Sequence, residues 1–405
     1  MVNLVDMNPL YNQDFRHDPY PYFREGLQNK HIVRHEDFMT KPVSVFHHKD
    51  VETVFKDWET FSSEIGTVGN TSDMTLGKAI ENIITMDPPR HTVLKKMARD
   101  GFLPRTLKTF EPQLEKIIKE RMDFALETKE FDLVEDFAVK ITLGMITIIL
   151  GLPEEDWDMI RQWTIDIGEN VLSVNWVTEP EQKRMDVTKR VIGEMTDYFE
   201  AYLADRRKNP KEGDIVSFLM STEVDGVGYS DDEVESMVML LLLAGNDSTA
   251  TLIANYMRCM AMFPDQANLV RNDLSLVRNS VEETLRFCPS FLCMERMVKT
   301  PITMHGMDLQ KGDIVLAWMA AANRDPEIFD RPDEFDISRM PNRHVSFAHG
   351  PHMCLGAPLA RMESMLAATE LLKNTKSLEL ISEPVLPGNT MLNGPLSQKI
   401  RVTPN

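Results

Sequence analysis

The residues Ser230-Asp-Asp-Glu233 form a capping box and open a helix that runs to about Met262, some 33 residues or roughly 50 Å at ~1.5 Å per residue. In its middle lies Leu243-Ala244-Gly245-Asn246-Asp247-Ser248-Thr249. Gly245 costs about 1 kcal/mol relative to Ala inside a helix. Its presence therefore points to a gain elsewhere, and close approach of the helix, through Ala244 and Gly245, to a flat cofactor is one such gain. An acid followed by a hydroxyl, Asp247-Ser248, has the makings of a proton relay. Thr249, about 100° further round the helix, ranks second as the hydroxyl donor. Taken alone, the segment also fits an ordinary buried helix with a polar notch.

A second constraint is Phe347-Ala-His-Gly350-Pro-His352-Met-Cys354-Leu-Gly356. A cysteine framed by glycines, with a histidine two residues upstream and a helical pattern beginning near Ala357, has the layout of a thiolate that binds iron. Gly350 and Gly356 free the backbone so that a flat macrocycle can lie close. The helix N-terminus favours the anionic sulfur. His352 is placed to hydrogen-bond a propionate, and Phe347 to pack against the ring. The plain alternative is a small buried apolar cysteine.

This stretch resembles the haem-binding loop of the cytochrome P450 superfamily, written there F-G-x-G-x-H-x-C-x-G, with Ala348 in place of the first glycine. The segment around Asp247 is similar to the oxygen-binding groove of the same family, A/G-G-x-D/E-T, with Ser248 where threonine is usual. The hydroxyl is kept and the methyl is lost, which frees its rotamer. Glu283-x-x-Arg286 places a carboxylate and a guanidinium one turn apart. Apolar neighbours suggest that the pair is buried, and Arg339 is the candidate third partner. The family has this arrangement, and the resemblance gives the trio a folding role. Asp87-Pro-Pro-Arg-His91-Thr-Val-Leu-Lys95 resembles the family's D-P-P-x-H-x-x-x-R. His91, Lys95, Arg296 and His352 are thereby the expected partners of two haem propionates, with Lys95 losing the bidentate fork of the usual arginine. The similarity extends from about Pro19 to Val402.

The resemblance implies a fold that is mainly α with small β-sheets, the long helix lying over haem b. It also implies a monooxygenase: O2, two electrons and protons passed through Asp247 and Ser248 put one oxygen atom into a C–H bond. No G-x-G-x-x-G follows a strand, so the electrons are expected from a separate ferredoxin or flavodoxin with its reductase. Lys95, Lys96, Arg99, Arg105 and Arg361 are candidates for a basic patch that steers such an acidic partner. Two other readings stand beside this one, a peroxide-driven peroxygenase and a non-catalytic haem-thiolate sensor or carrier.

Composition narrows the field further. A net charge of −19 argues against nucleic acid. The first residues lack a basic region followed by an apolar run, and the longest nearly uncharged apolar stretch, Ile141 to Leu152, is too short for a bilayer. A cytoplasmic protein without a membrane span is expected. Over 405 residues, 42% of them hydrophobic, no repeat or Gly/Ser linker marks a boundary, so residues 1–405 are read as one domain. Cys259, Cys288 and Cys293 read as structural, and the 27 methionines as core fillers.

Helical spacing of apolar residues predicts helices over Asp50–Phe61, Pro89–Asp100, Leu107–Ala125, Leu133–Leu150, Glu154–Leu172 and Glu181–Arg206. Strand-like runs are Val43–Phe46, Ile302–Met304 and Ile314–Trp318, with short strands and turns over Leu378–Val402. The expected substrate pocket is Leu240 and Leu243 on the long helix, Phe291, Leu292 and Met294 after Pro289, Val171, Leu172 and Trp176 as a lid, and Leu392 on the far side. Nearly all are apolar, so an apolar small molecule is expected: a terpenoid, steroid, fatty acid or macrolide. His47, His48, His344 and His349 are read as structural or solvated.

Overall fold

The computed structural model describes residues 15, 17–36, 41–65, 82–170, 182–211, 213–224, 226–387 and 391–405. Its axis is the long helix, Asp231–Met262, and the capping box forms as the sequence requires. Ser230 accepts from the Glu233 N–H at 3.2 Å, and Glu233 Oε2 accepts from the Ser230 N–H at 2.8 Å. This helix packs against Val139–Leu150 on one side and Ala357–Asn374 on another. Its length and apolar composition would suffice to cross a membrane, but 61% of its apolar window is buried inside the fold. It is a core helix, surrounded by protein where a membrane span would meet lipid.

The other helices lie close to the expected spans: His48–Lys56, Arg90–Arg99, Glu111–Thr128, Trp157–Asn170 and Gln182–Lys208. Two boundaries moved for clear reasons. The first helix stops at Lys56 because Phe61–Ser62 is drawn off to pair with Met297–Val298. The span from Leu133 opens as a widened π turn over Leu133–Ala138 before becoming α-helical at Val139. Asp132 caps that turn, accepting from the Val134 and Glu135 N–H groups. Tyr20–Asn29, Ile215–Ser221 and Pro264–Asn272 are helices that the sequence reading did not bring out.

Strands are few and short. A five-stranded sheet runs in the order Ile32–Arg34, Val43–Val45, Ile314–Ala317, Met294–Val298, Phe61–Ser62. Val43–Val45 lies parallel to Ile314–Ala317, Val315 facing Val43. All residues of both strands are buried, as expected of parallel pairing. The C-terminal Lys399–Pro404 is sandwiched between Thr375–Leu380 and Glu130–Asp132. Mostly helix with small sheets is the architecture expected.

The helix Val277–Phe287 carries the buried ion pair. Arg286 and Glu283 are both fully buried, joined by Nε to Oε2 at 2.8 Å and Nη2 to Oε1 at 2.7 Å. The remaining Arg286 donors go to the carbonyls of Asn323, Pro332 and Glu334 at 3.0, 2.8 and 2.7 Å. Arg339 Nε lies 3.3 Å from Glu283 Oε2, and Asn342 and the Asp336 N–H also donate to that carboxylate. A charge pair fully removed from water is tolerable only when every donor is satisfied like this. The result fastens the segment 323–342 that leads into the cysteine loop.

Candidate active site

Cys354 stands two residues ahead of Gly356, which caps the helix Ala357–Asn374. Its own N–H donates to Phe347 O at 2.9 Å, closing the loop on itself. Burial pushes the Cys354 thiol up. The Gly356 N–H, the Lys95 charge and the Ala357 N–H act in the opposite sense without overcoming it. The residue is exposed, yet protein crowds around the sulfur and desolvates it, as at the bottom of a hollow. Arg361 lies over the Phe347 ring, 4.4 Å from its centroid.

The glycines of this loop act differently from expectation. Gly350 has φ +70°, and a Cβ there would fall 2.6 Å from Phe55 O and 2.9 Å from Lys56 Cα. Its bareness admits the backbone of His48–Lys56, a close approach that the sequence reading did not bring out. Gly356 has φ −80°, open to any residue, and its contribution is its N–H. The strained position is Ala348, at φ +54°, where the family pattern has glycine.

Around the hollow gather the four groups expected to meet carboxylates. His91 and Arg296 are buried. The His91 and His352 rings lie 4.0 Å apart. Burial first, then the charge of Lys95, pushes His91 down to about 4. Burial first, then Arg296, His91 and Lys95, pushes His352 down to about 2. Burial lowers Arg296 to about 10, and Phe55 lies under its guanidinium at 5.4 Å. Among the described residues, His91 Nδ1 and His352 Nε2 are buried without a hydrogen-bond partner. The nearby acid, Asp87, is already engaged by Ser62, the Ser63 N–H and Lys299. Clustered positive and polar groups with orphaned nitrogens are costly unless they meet an anion, so the donor set fits the two carboxylates of a haem. Lys95 departs from expectation in one respect. Its Nζ donates to the carbonyls of Pro351 and Met353, stitching its helix to the cysteine loop.

Mid-way along the long helix, Ala244 is exposed while Leu243 and Gly245 on either side are half-buried, which marks the bare face. Gly245 faces elsewhere: a Cβ there would lie 3.1 Å from Ile146 Cδ1, so this glycine allows two helices to pack closely. Asp247 accepts from Arg161 Nη1 at 3.3 Å and Asn246 Nδ2 at 3.0 Å. Burial raises its carboxyl to about 6, against the lowering pull of Arg161. Ser248 donates to Ala244 O at 2.6 Å, while its own carbonyl accepts from Ser290. Thr249 is buried.

Sequence reasoning missed the network behind Asp247. Asn246 is fully buried, accepting from Thr142 at 2.9 Å and donating to Thr164 at 3.3 Å. Arg161 also holds Glu135. Polar residues at 135, 142, 161 and 164 inside otherwise apolar helical patterns were the available signal.

The apolar lining is divided. Leu240 is buried and Leu243 and Met294 are half-buried. Phe291 bridges to Leu392 across a short antiparallel contact. Leu292 packs with Phe15, Tyr22, Phe23 and Trp318. Leu292 and Leu392 line a pocket of ≈ 200 Å³ with Cys259, Cys288 and Arg324, whose lining does not include Cys354. Val171, Leu172 and Trp176 lie outside the described residues.

The sequence matches the family model described as Cytochrome P450 over residues 9–387. It is 34% identical over 371 residues to Cytochrome P450(MEG) of Priestia megaterium, covering 90% of this chain and 88% of that protein. The fold superimposes on P450BioI in complex with hexadec-9Z-enoic acid ligated acyl carrier protein, with TM-score 0.88, 26% identity and coverage of 96% and 99% of the two chains. It also superimposes on CYP109E1 from Bacillus megaterium in complex with testosterone, with TM-score 0.83, 27% identity and coverage of 95% and 99%.

Proposed function

The chain belongs to the cytochrome P450 family and is a haem-thiolate monooxygenase, and on that premise we propose that it hydroxylates an apolar small molecule with electrons from a ferredoxin or flavodoxin and its reductase. Haem b bound through Cys354 would supply the oxygen activation that thiolate ligation favours. The observation that carries this reading is the pair of orphaned buried nitrogens, His91 Nδ1 and His352 Nε2, beside Arg296 on the rim of the Cys354 hollow. His91, His352 and Arg296 would hold the cofactor's carboxylates. Lys95 holds the cysteine loop in shape and keeps a positive charge near the sulfur.

Asp247 is the proton store. Raised to about 6, it exchanges a proton readily near neutrality, which suits a general acid. Ser248 is the neighbouring carrier: releasing its bond to Ala244 O lets its hydroxyl turn toward the hollow. Ala244, bare of all but a methyl, leaves room beneath. Leu240, Leu243, Phe291 and Met294 supply apolar walls, which support an apolar substrate. A relative crystallised with testosterone and another with an acyl chain on its carrier protein make steroids and long acyl chains the first compounds to try. Residues 1–405 are read as one catalytic unit.

Lys96, Arg99, Arg105 and Lys108 are exposed, and Lys108 also lines a groove of ≈ 1000 Å³ with Arg278, Arg339 and Arg361 and the acids Glu111 and Glu282. On a chain of net charge −19 this local positive surface supports docking of an acidic electron carrier. Arg361 is already paired with Glu282 at 2.6 Å, so the exposed Lys96, Arg99 and Arg105 are the residues to which this reading assigns the attraction. Replacing Arg99 and Arg105 with Glu should slow reduction by ferredoxin at low salt, and unchanged rates would remove that partner.

The substrate reading is tested by absorbance titration of the ferric protein against steroids, fatty acids, terpenes and macrolides. A blue shift of the haem band with one class, followed by oxygen-dependent product, supports it. A haem band that none of the four classes moves would overturn the apolar-substrate assignment.

A further inference from the structure

Far along the chain from the cysteine loop, three of the ten histidines come together. The His31 and His305 rings are stacked 4.3 Å apart with an 8° angle between planes, and His31 and His47 lie 4.6 Å apart. Asp50, a buried carboxylate, meets His305 Nε2 through Oδ2 at 2.8 Å. The ligand atoms of His31, Asp50 and His305 all lie within 4.8 Å of one another. We propose that His31, Asp50 and His305 form a binding site for a divalent transition-metal ion of the zinc class.

The chemistry of the set selects the ion. Two imidazoles and one carboxylate suit zinc, nickel or copper, whereas calcium and magnesium ask for oxygen ligands. Zinc takes nitrogen ligands at about 2.0–2.1 Å and leaves a fourth position to water when the protein supplies three. Drawing the three ligands onto one ion requires the His31 ring to turn out of its stack on His305 so that a nitrogen faces Asp50. His31 lies on the exposed edge, where such a turn meets least resistance, while Asp50 is held in the first turn of the helix His48–Lys56. An acid in a helix's first turn is ordinary in itself; imidazoles stacked around it are not.

His305 is also placed at a cost. It lies in the turn Met304-His305-Gly306-Met307, which joins two short antiparallel strands. His305 has φ +48° and Gly306 φ +80°, the signature of a type I′ turn, which prefers Asn-Gly. A histidine in the asparagine position gives up turn stability and gains an imidazole aimed at Asp50.

A metal here would tie three separated segments: the residue before the strand Ile32–Arg34, the helix His48–Lys56 and the hairpin 302–309. That helix is the one whose Phe55 and Lys56 backbone abuts Gly350 of the cysteine loop. The site would therefore act as a clip on the element that backs the loop.

The test is calorimetric titration of untagged, chelator-treated, haem-loaded protein with zinc chloride, with magnesium chloride as control. One equivalent of zinc should bind saturably and raise the Tm, and magnesium should do neither. His31→Ala removes an exposed ligand, and His305→Asn gives the turn its preferred residue, so both variants should fold and keep the haem spectrum. Each should weaken zinc binding at least tenfold and abolish the Tm rise. Unchanged zinc binding in the double variant would overturn the proposal. So would loss of binding only on His47→Ala, which would move the ion to the neighbouring His47, Asp325 and Glu327 group. Absence of saturable binding by the unaltered protein would also refute it.

Discussion

Arg161 reaches from the helix Trp157–Asn170 to Asp247 on the long helix, Nη1 to Oδ1 at 3.3 Å, while its other terminal nitrogen holds Glu135. The acid is thus divided between two opposing influences. Burial lifts its carboxyl to about 6, Arg161 pulls it down, and Glu135 pushes it up again. A carboxyl poised there is useful for moving protons, and it is also a liability for the fold.

That liability has a sign. An unfolded Asp titrates near 3.9, and Asp247 in the fold near 6. Between those values the folded state binds more protons, so the contribution of Asp247 to stability is present below about pH 4 and is lost as pH rises through 6. The whole span is worth roughly 2–3 kcal/mol. Asp247→Asn should therefore be more stable than the natural protein by about 1–2 kcal/mol at pH 7.5, with no gain at pH 4. It should also lose most oxygen-dependent turnover while binding ligands normally. Urea unfolding at the two pH values and a turnover assay check both halves. Normal turnover in the variant would remove the relay.

Removing the arginine should act in the opposite direction. In Arg161→Ala the main lowering influence on Asp247 is gone and burial is left to dominate, so the acid stays protonated to higher pH. Turnover plotted against pH should show its inflection moved upward from about 6, whereas Arg161→Lys, which keeps the charge, should move it less. An inflection that does not respond to either change belongs to another group.

Ala348 offers a prediction of a different kind. At φ +54° its Cβ crowds the backbone, at a cost of roughly 1–2 kcal/mol, and glycine relieves that strain while adding entropy to the unfolded chain. Ala348→Gly should gain about 0.5–1 kcal/mol, and Ala348→Val should lose more than that. Thermal unfolding of the haem-loaded protein reads both. A destabilised Gly variant would mean that the Ala348 methyl packs usefully.

The parts of the site that could be read from sequence are those fixed by local spacing. Cys354, its glycines and the following helix are contiguous, as are the capping box at Ser230 and the pair Glu283 and Arg286. What escaped was tertiary. Spacing relates Gly245 and Gly350 to a cofactor, and does not show that each also admits another backbone or helix of the protein. Whether a glycine faces a ligand or a neighbouring helix depends on rotation about an axis, which spacing alone does not give. Arg161 is 86 positions from Asp247, and nothing local announces such a partner. Leu292 follows Pro289 and is apolar as a pocket wall requires, but it packs into the aromatic cluster of Phe15 and Trp318, to which the helix Tyr20–Asn29 contributes Tyr22 and Phe23.

The buried trio of Glu283, Arg286 and Arg339 should behave as a unit. Arg286→Ala leaves Glu283 charged, fully buried and short of its main donors, which costs about 3–5 kcal/mol. Arg286→Lys keeps the charge but cannot reach the three carbonyls and the carboxylate together, so it should be nearly as damaging. Both should yield protein with low haem content, whereas Arg339→Lys, nearer the surface, should retain most of it. Full haem incorporation in Arg286→Lys would show that charge alone suffices.

His91 provides the sharpest separation of folding from cofactor binding. Its Nδ1 is buried without a partner among the described residues, so in the haem-free protein the imidazole is a net cost. An unsatisfied buried polar group is worth about 1–3 kcal/mol. His91→Phe removes that cost, keeps a ring to lie against His352 4.0 Å away, and deletes a donor to the haem carboxylates. The haem-free variant should therefore unfold at higher urea than the natural protein, while haem transfer to apomyoglobin from the loaded variant should be at least tenfold faster. A histidine there for packing would give the reverse pattern, a weaker apoprotein with unaltered haem retention. Opposite signs in the two measurements are expected only of a residue placed for a ligand, and they would tie the low pKa of His91, near 4, to a site that keeps this imidazole neutral and ready to share a proton with an anion.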